Sequence, residues 1–366
     1  MDNNRPSARP PARRPVELDW PEDDLERLGH CPVCGATARQ LVFSGLKDKI
    51  FFCAPGSWSN WRCHSCDVVY LDPRPTLQSI GRAYEAYYTH ELPPTSVVSR
   101  ISAALRTRIR NSYLNKQLGY QLKNTLPLGW MAYMFFASQA AVTENTVRHL
   151  PRPAKGACKL LDIGCGNGEF LKIAQDIGYN VQGVEFDPAA CAAAAGFGLK
   201  VFQGSLEEAI LPQNYFDQIT LSHVLEHFHN PRSALAKIFT LLRPGGRVWI
   251  TVPNISGYSI QKFSENSRLL EPPRHLVMFD TKSLASILAA AGYQNIICKN
   301  TKDFNYQYFT VNQSWMIENG LDPYATDTPA APAHVKREFL AAYQSSINEI
   351  EHDEIITFTA HKPVSC

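Results

Sequence analysis

Three glycines at alternate positions form the strongest chemical signal in this sequence. Residues 160–171 read LLDIGCGNGEFL, so a short apolar run breaks at Gly164, Gly166 and Gly168 and continues into a segment that predicts a helix. Glycine adopts the torsion angles that a tight strand-to-helix turn requires, and its missing side chain lets a ligand approach the backbone. The spacing therefore predicts a cradle for a nucleotide-type ligand.

A carboxylate on the next predicted strand, Glu185, indicates that the ligand contains a ribose. Residues 180–188 read NVQGVEFDP, and Glu185 follows the glycines by about 20 residues, a spacing typical of an acid that binds ribose hydroxyls. Gly168 is not followed by the Lys and Ser/Thr of a phosphate-binding P-loop. Asp162 and Glu169 place negative charge on both sides of the turn, which disfavours a pyrophosphate. This charge suits a ligand that carries an ammonium and a sulfonium.

At these residues the chain resembles the class I S-adenosylmethionine-dependent methyltransferases, over about its C-terminal two thirds. Two later landmarks of that family recur in the same order. Residues 216–227, FDQITLSHVLEH, resemble its fourth strand and the segment that follows, and residues 242–248, LRPGGRV, resemble the turn into its fifth strand. The resemblance implies an α/β fold with a Rossmann-like seven-stranded sheet whose last strand is antiparallel, and S-adenosylmethionine as the cofactor.

The resemblance also implies which residues hold the cofactor. The acid before the turn and the glycines would surround the methionine end, and Glu185 would bind the ribose. Residues 203–206 read QGSL where many relatives place an acid against the adenine amine, which makes the adenine contact the least defined. In chain order, the candidates are Asp162, Gly164, Cys165, Gly166, Gly168, Glu185, Phe186, Ser205, Leu206, Ser222 and His223.

Three histidines follow predicted strands at the end of the sheet where a doubly wound fold places its ligands. His223 and His227 flank the end of the fourth strand, and His275 comes after the fifth in the run PPRH. A hydroxyl acceptor benefits from a base whose pKa is near neutrality, which suits histidine. We hypothesise that His275 is the base or positions the acceptor, because it lies in a polar, proline-restrained loop and similar methyltransferases contain a Pro-x-His segment. The alternative is a structural histidine in that loop, and for His227 a residue that caps a helical turn.

Ten cysteines in a long chain whose first residues show no export signal predict reduced thiols and metal ligands rather than disulfides. Cys31 with Cys34 and Cys63 with Cys66 form two Cys-x-x-Cys pairs, which together supply four thiolates for one tetrahedral zinc. Twenty-eight residues separate the pairs, which suits a ribbon whose strands run out and return. A structural zinc is therefore favoured over a redox role.

The chain of 366 residues is long enough for two domains. Its net charge of +2 gives no overall electrostatic argument for nucleic acid, and the composition predicts a cytoplasmic protein. We predict a disordered tail at 1–28, a zinc-ribbon-like domain at 29–72, a helical linker or cap at 73–154, and a methyltransferase domain at 155–366 with an insertion at 303–351.

An apolar stretch at residues 126–142 lies at the lower length limit of a membrane-spanning helix and contains Pro127 and Gly129 near its start. It predicts a buried or lid helix rather than an integral membrane segment. An interfacial helix that contacts a lipid-linked acceptor is the alternative.

Together these features predict methyl transfer from S-adenosylmethionine to a small-molecule or sugar-type acceptor, with O-methylation by direct displacement favoured. The alternative is an RNA methyltransferase that uses the zinc ribbon to bind its substrate. Against that alternative, the fourth strand ends in LSH rather than in an Asn/Asp-Pro-Pro-aromatic run that could hold a flipped base. A non-catalytic binding module that kept the cradle is a third possibility, which the intact glycines and Glu185 disfavour.

Overall fold

The structure is a computed structural model. It describes residues 19–84, 97–134, 137–154, 158–300, 303–324, 330–345 and 350–364. Most of the predicted tail, residues 1–18, lies outside this part of the chain, as do residues 325–329 of the predicted insertion.

Short strands form the N-terminal part of the chain: β1 (Leu25–Glu26), β2 (Arg39–Leu46), β3 (Trp58–Cys63), β4 (Val69–Leu71) and β5 (Arg74–Pro75). Two helices follow, α1 (Val97–Leu118) and α2 (Ala137–Thr146). Five strands and three helices follow in the described chain: β6 (Lys159–Ile163), α3 (Glu169–Ile177), β7 (Asn180–Glu185), α4 (Pro188–Gly196), β8 (Val201–Gln203), β9 (Phe216–Ser222), α5 (Pro231–Leu241) and β10 (Leu242–Pro253). The C-terminal part contains α6 (Tyr258–Phe263), β11 (Val277–Met278), α7 (Thr281–Ala290), β12 (Gln294–Lys299), α8 (Phe304–Glu318), α9 (Ala333–Ser345) and β13 (Ile355–His361).

Seven of the described strands form the central sheet, in the order β12-β13-β10-β9-β6-β7-β8. Strands β6 to β10 pair in parallel, and β13 pairs antiparallel with both β10 and β12. The predicted seven-stranded Rossmann-like fold, with its antiparallel last strand, is confirmed. Because parallel strands carry their C-terminal ends to one edge, the turns after β6, β7, β9 and β10 meet there.

Local sequence explains where the elements beside this edge begin and end. The helix α3 ends at Gly178, which has a left-handed φ of 116° and donates its N–H to the carbonyl of Ala174. The helix α4 begins at Asp187, whose side chain accepts the N–H of Ala189, with Pro188 in the first turn. These caps mark the C-terminal end of α3 and the N-terminal end of α4, which follows β7.

The N-terminal sheet is completed by a strand from the distant C-terminal half. Its order is β11-β4-β3-β2, with Val277 opposite Tyr70. Residues 19–28, which we predicted to be part of a disordered tail, are folded. Strand β1 pairs with β5, and Trp20 is buried with its ring centre 5.5 Å from that of Trp58. Burial of two indole rings gives this segment the apolar contact that a disordered tail lacks.

The apolar stretch at 126–142 does not form one continuous buried helix. A 3-10 turn covers Gly129–Met134 and α2 begins at Ala137, while residues 135 and 136 lie outside the described part. Leu128 and Met134 are both 66% exposed, so this segment is only partly covered. Among the described residues, no helix has both the length and the apolar character needed to cross a bilayer.

Candidate active site

The turn after β6 shows why glycine is needed there. Gly164 and Gly168 have φ of +67° and +83°, a region that other residues rarely adopt. A Cβ on Gly164 would lie 2.4 Å from Cγ2 of Val224, and one on Gly168 would lie 2.5 Å from Cδ1 of Leu199. The backbone of the turn is thus packed closely against the segment after β9 and against α4.

Glu185, at the end of β7, is tied directly to the glycine turn. Its carboxylate accepts the N–H of Gly166 at 2.8 Å, and its other oxygen accepts the N–H groups of Phe186 and Asp187 at 2.9 and 3.0 Å. The carboxylate is therefore held at the edge of the sheet beside the turn. Cys165, buried in the same turn, packs against Gly183 of β7, where a Cβ would lie 2.5 Å from its sulfur.

The adenine candidates lie one strand further along the sheet. The N–H of Gly204 donates to the carbonyl of Glu185 at 2.8 Å, which places the turn at 203–206 beside the ribose candidate. Ser205 is half-buried and donates its N–H to the carboxylate of Glu208, whereas Leu206 is buried in the core. Phe186 is 55% exposed and meets the ring of Tyr84 edge-on.

Asp162 is completely buried and is paired with an arginine that sequence reasoning missed. The guanidinium of Arg148 donates to the Asp162 carboxylate and to the hydroxyl of Thr220. It also lies 3.6 Å from the ring centre of Phe170. Burial raises the pKa of Asp162, and the positive charge of Arg148 opposes this shift. Arg148 sits in a loop between α2 and β6 with a left-handed φ of 49°, and it belongs to no motif that could have identified it.

A cavity of about 360 Å³ opens beside this pair, at the C-terminal ends of β9 and β10. Of the three predicted catalytic histidines, His223 is the one among the described lining residues. Its side chain is 35% exposed, and its backbone has a left-handed φ of 54°. Further lining residues include Arg148, Phe170, Ser222, Trp249 and Tyr306.

His275 and His227 are not among the described residues that line this cavity, and they contact each other. Their ring centres are 5.0 Å apart, and His275 is buried rather than exposed in a polar loop, because its loop packs under the segment after β9. Burial lowers the pKa of His275 to about 4. Glu226 is also buried, which by itself would raise its pKa, but His223, His227 and His275 outweigh this effect and lower the pKa.

The four cysteines of the two pairs converge. Their sulfurs lie within 4.8 Å of one another, and the distances from Cys31 to Cys66 and from Cys34 to Cys63 are 3.6 and 3.5 Å. The edge of a tetrahedron with zinc–sulfur bonds of about 2.3 Å is roughly 3.8 Å, so the donor set fits one zinc ion. The N–H of Val33 donates to the sulfur of Cys31, and the N–H of Ser65 to that of Cys63, both at 3.4 Å, as suits thiolates.

Residues 132–297 match the model of a protein family described as a methyltransferase domain. The chain is similar to the ubiquinone biosynthesis O-methyltransferase of Aeromonas salmonicida, with 35% identity over 103 residues, 26% of this chain and 43% of that protein. It is 26% identical over 137 residues to a probable S-adenosylmethionine-dependent methyltransferase of Mycolicibacterium smegmatis, 37% of this chain and 51% of that protein. The mitochondrial ubiquinone biosynthesis O-methyltransferase of Schizosaccharomyces pombe is 33% identical over 99 residues, 25% of this chain and 36% of that protein.

The chain spans about half or less of the length of these curated relatives. Within that span, the family match and the strand order agree with the resemblance found in the sequence. Residues 132–297 therefore match a methyltransferase domain, and the seven-stranded sheet has the Rossmann-like fold that the resemblance implies.

Proposed function

We propose that this chain, whose residues 132–297 belong to the methyltransferase domain family, transfers a methyl group from S-adenosylmethionine to a hydroxyl of a small-molecule acceptor. One observation carries the proposal: the helix that follows the glycine turn lines, through Glu169 and Phe170, a cavity that also contains the half-exposed His223. The O-methyltransferase names of two of the relatives support the choice of an oxygen acceptor.

In this proposal different residues bind different parts of the cofactor. The glycine turn lies against the methionine end, Glu185 releases the N–H of Gly166 to bind the ribose hydroxyls, and the turn at 203–206 faces the adenine. Arg148 supplies a positive charge at the cavity wall for the methionine carboxylate. Ser222 and His223 then lie on the acceptor side of the sulfonium.

The chemical step is a direct displacement. A lone pair of the acceptor oxygen attacks the methyl carbon, the carbon–sulfur bond breaks, and its electron pair stays on sulfur to give S-adenosylhomocysteine. The hydroxyl proton passes to His223, which is the candidate base because it lines the cavity. The catalytic roles predicted for His227 and His275 remain predictions, and neither residue is among the described residues that line the cavity.

We also propose that Cys31, Cys34, Cys63 and Cys66 hold one structural zinc ion. Four thiolates leave no open position on a tetrahedral metal, so zinc supplies stability there and takes no part in methyl transfer. Binding of RNA by this ribbon remains the alternative function. It predicts salt-dependent retention of RNA, which a small-molecule enzyme would not show.

Replacement of His223 tests the proposal. Incubation with labelled S-adenosylmethionine and a panel of hydroxylated small molecules should give a labelled methyl ether, identified by mass. His223→Gln should lower kcat by about 10²- to 10⁴-fold, the usual contribution of a general base. Affinity for S-adenosylhomocysteine, measured by calorimetry, should stay unchanged.

The matched variant is His149→Gln, which changes a partly buried histidine that does not line the cavity. Its turnover should equal that of the unmodified protein. Unchanged turnover in His223→Gln would remove His223 as the base. Absence of any labelled product despite cofactor binding would favour a non-catalytic module.

A further inference from the structure

A cluster of three side chains brings together two distant segments, Glu226 with His227 and the segment of His275. His227 and Arg274, which precedes His275, are 47 positions apart in the sequence. One ligand atom of each residue lies within 4.8 Å of the others. The junction is held by the N–H of Leu276, which donates to the carbonyl of Glu226 at 2.9 Å. Two segments that the sequence keeps apart therefore present two imidazoles and one carboxylate to a single point.

Both histidines are oriented by their second nitrogen. Nδ1 of His227 lies 2.8 Å from the carbonyl oxygen of Arg274, and Nδ1 of His275 lies 2.7 Å from that of Leu269. A carbonyl oxygen can only accept, so each Nδ1 carries the proton and each Nε2 is left with its lone pair. Histidines that bind metals typically donate their other N–H to a carbonyl or carboxylate in this way.

Glu226 lacks the arginine partner that two other buried carboxylates of this protein have. Asp48 and Glu271 are each paired with an arginine. Within the described part of the chain, no lysine or arginine forms an ion pair with Glu226, and neither of its oxygens has a hydrogen-bond partner. A buried carboxylate without such a partner is costly unless another cation supplies the charge.

We propose that Glu226, His227 and His275 bind a divalent transition-metal cation, separate from the zinc of the four cysteines. Two imidazoles and one carboxylate suit cations such as Zn²⁺, Fe²⁺ or Co²⁺ and leave coordination positions open. The cation lies beside the cavity wall, because Oε1 of Glu226 is 3.6 Å from Nδ1 of His223, which lines the cavity. The proposal stands on the geometry of these residues and does not depend on methyl transfer.

Cobalt binding to the full-length protein tests the site. The protein is purified without chelator, titrated with Co²⁺ alone, desalted and analysed for metal content. The unmodified protein should retain one more cobalt ion per chain than Glu226→Gln or His275→Asn. Loss of a direct ligand should weaken Co²⁺ binding more than about 100-fold, because even residues that only orient a ligand contribute 10- to 100-fold.

His149→Gln, which changes a histidine outside the cluster, should retain the same cobalt as the unmodified protein. Equal cobalt retention by Glu226→Gln and the unmodified protein would overturn the proposal. X-ray absorption at the cobalt edge of the unmodified protein gives a second readout that needs no variant. Nitrogen and oxygen ligands that include imidazole are expected, whereas sulfur ligands alone would assign the cobalt to the cysteines and overturn the proposal.

Discussion

The glycines of the turn after β6 show, at the scale of single residues, that steric fit and backbone conformation act together. Gly164 needs a left-handed φ, and a Cβ there would also meet Val224, while Gly168 is blocked by Leu199 in the same way. Gly196, at the end of α4, has no atom within 4 Å of its virtual Cβ. An alanine side chain should therefore be tolerated at Gly196 but not at Gly164 or Gly168.

Gly164→Ala should destabilise the protein and weaken cofactor binding. Strain at positive φ costs about 1–2 kcal/mol and overpacking a further 1–3 kcal/mol. Urea unfolding should show this loss, and calorimetry should show weaker binding of S-adenosylhomocysteine. Gly196→Ala should leave both measurements unchanged or slightly raise stability. Equal stability of the two variants would contradict the steric account.

At the scale of secondary-structure elements, two arginines fasten the loop after α2 to the sheet. Arg148 reaches from this loop to Asp162 on β6 and Thr220 on β9. Arg247 reaches back from β10 and donates to the carbonyls of Arg148 and His149 at 3.2 and 2.8 Å. The predicted helical cap is thus connected to the strands that carry the candidate site.

Arg148→Met should cost about 3–5 kcal/mol of unfolding free energy, because it leaves the completely buried carboxylate of Asp162 without its cation. The measurement is urea unfolding of this variant, of Asp162→Asn and of the double variant. The double variant should lose less than the sum of the two single losses, since the two residues act as a pair. If the losses of unfolding free energy in the two single variants added up in the double variant, Arg148 and Asp162 would not stabilise the protein as an interacting pair.

At the scale of the whole molecule, the cysteine-rich sheet and the central seven-stranded sheet share one core. The strand β11 completes the sheet of β2, β3 and β4, and Cys31 and Cys63 belong to the same apolar cluster as residues of the central sheet. Arg274 adds a buried ion pair to Asp48 across the same boundary. Loss of the proposed zinc should therefore also destabilise the segment that carries His275.

Zinc chelation should lower the Tm of the whole chain in one transition, rather than melt the N-terminal sheet alone. A shift of several degrees is expected, since 1 kcal/mol moves Tm by roughly 2–4 °C in a domain of 150–250 residues. Differential scanning calorimetry with and without a chelator measures it. Cys34→Ser should reproduce the shift, and Cys158→Ser, outside the cluster, should not. Two separate transitions would contradict the shared core.

Acid should destabilise the protein partly through His149. Burial, together with Lys299 and Arg247, lowers its pKa from 6.5 to about 4. Below pH 6.5 His149 becomes protonated in the unfolded chain, whereas in the folded protein it stays neutral down to about pH 4. The unfolding free energy therefore falls as the pH is lowered from about 6.5 to 4, by at most about 3 kcal/mol. Urea unfolding at pH 7 and pH 5 should show a smaller fall in His149→Gln than in the exposed-site control His334→Gln.

The sequence by itself determined the features that neighbouring residues encode. The ligand turn and Glu185 come from consecutive strands and are marked by their spacing. The seven-stranded topology was implied by the resemblance of this turn and of two later segments to a known family. Spacing alone likewise paired the cysteines, whose sulfurs the structure brings together. These patterns are local, so no tertiary contact is needed to read them.

Only the tertiary structure decided which distant residues meet. Arg148 bonds Thr220 across 72 positions, β11 joins a sheet formed about 200 residues earlier, and His275 is buried against His227 instead of facing the cavity. No periodicity or spacing marks such pairs, because they depend on how whole elements pack and on which polar groups burial leaves without water. That is the physical reason why the cofactor turn could be identified from the sequence, while its arginine and the histidine–carboxylate cluster could not.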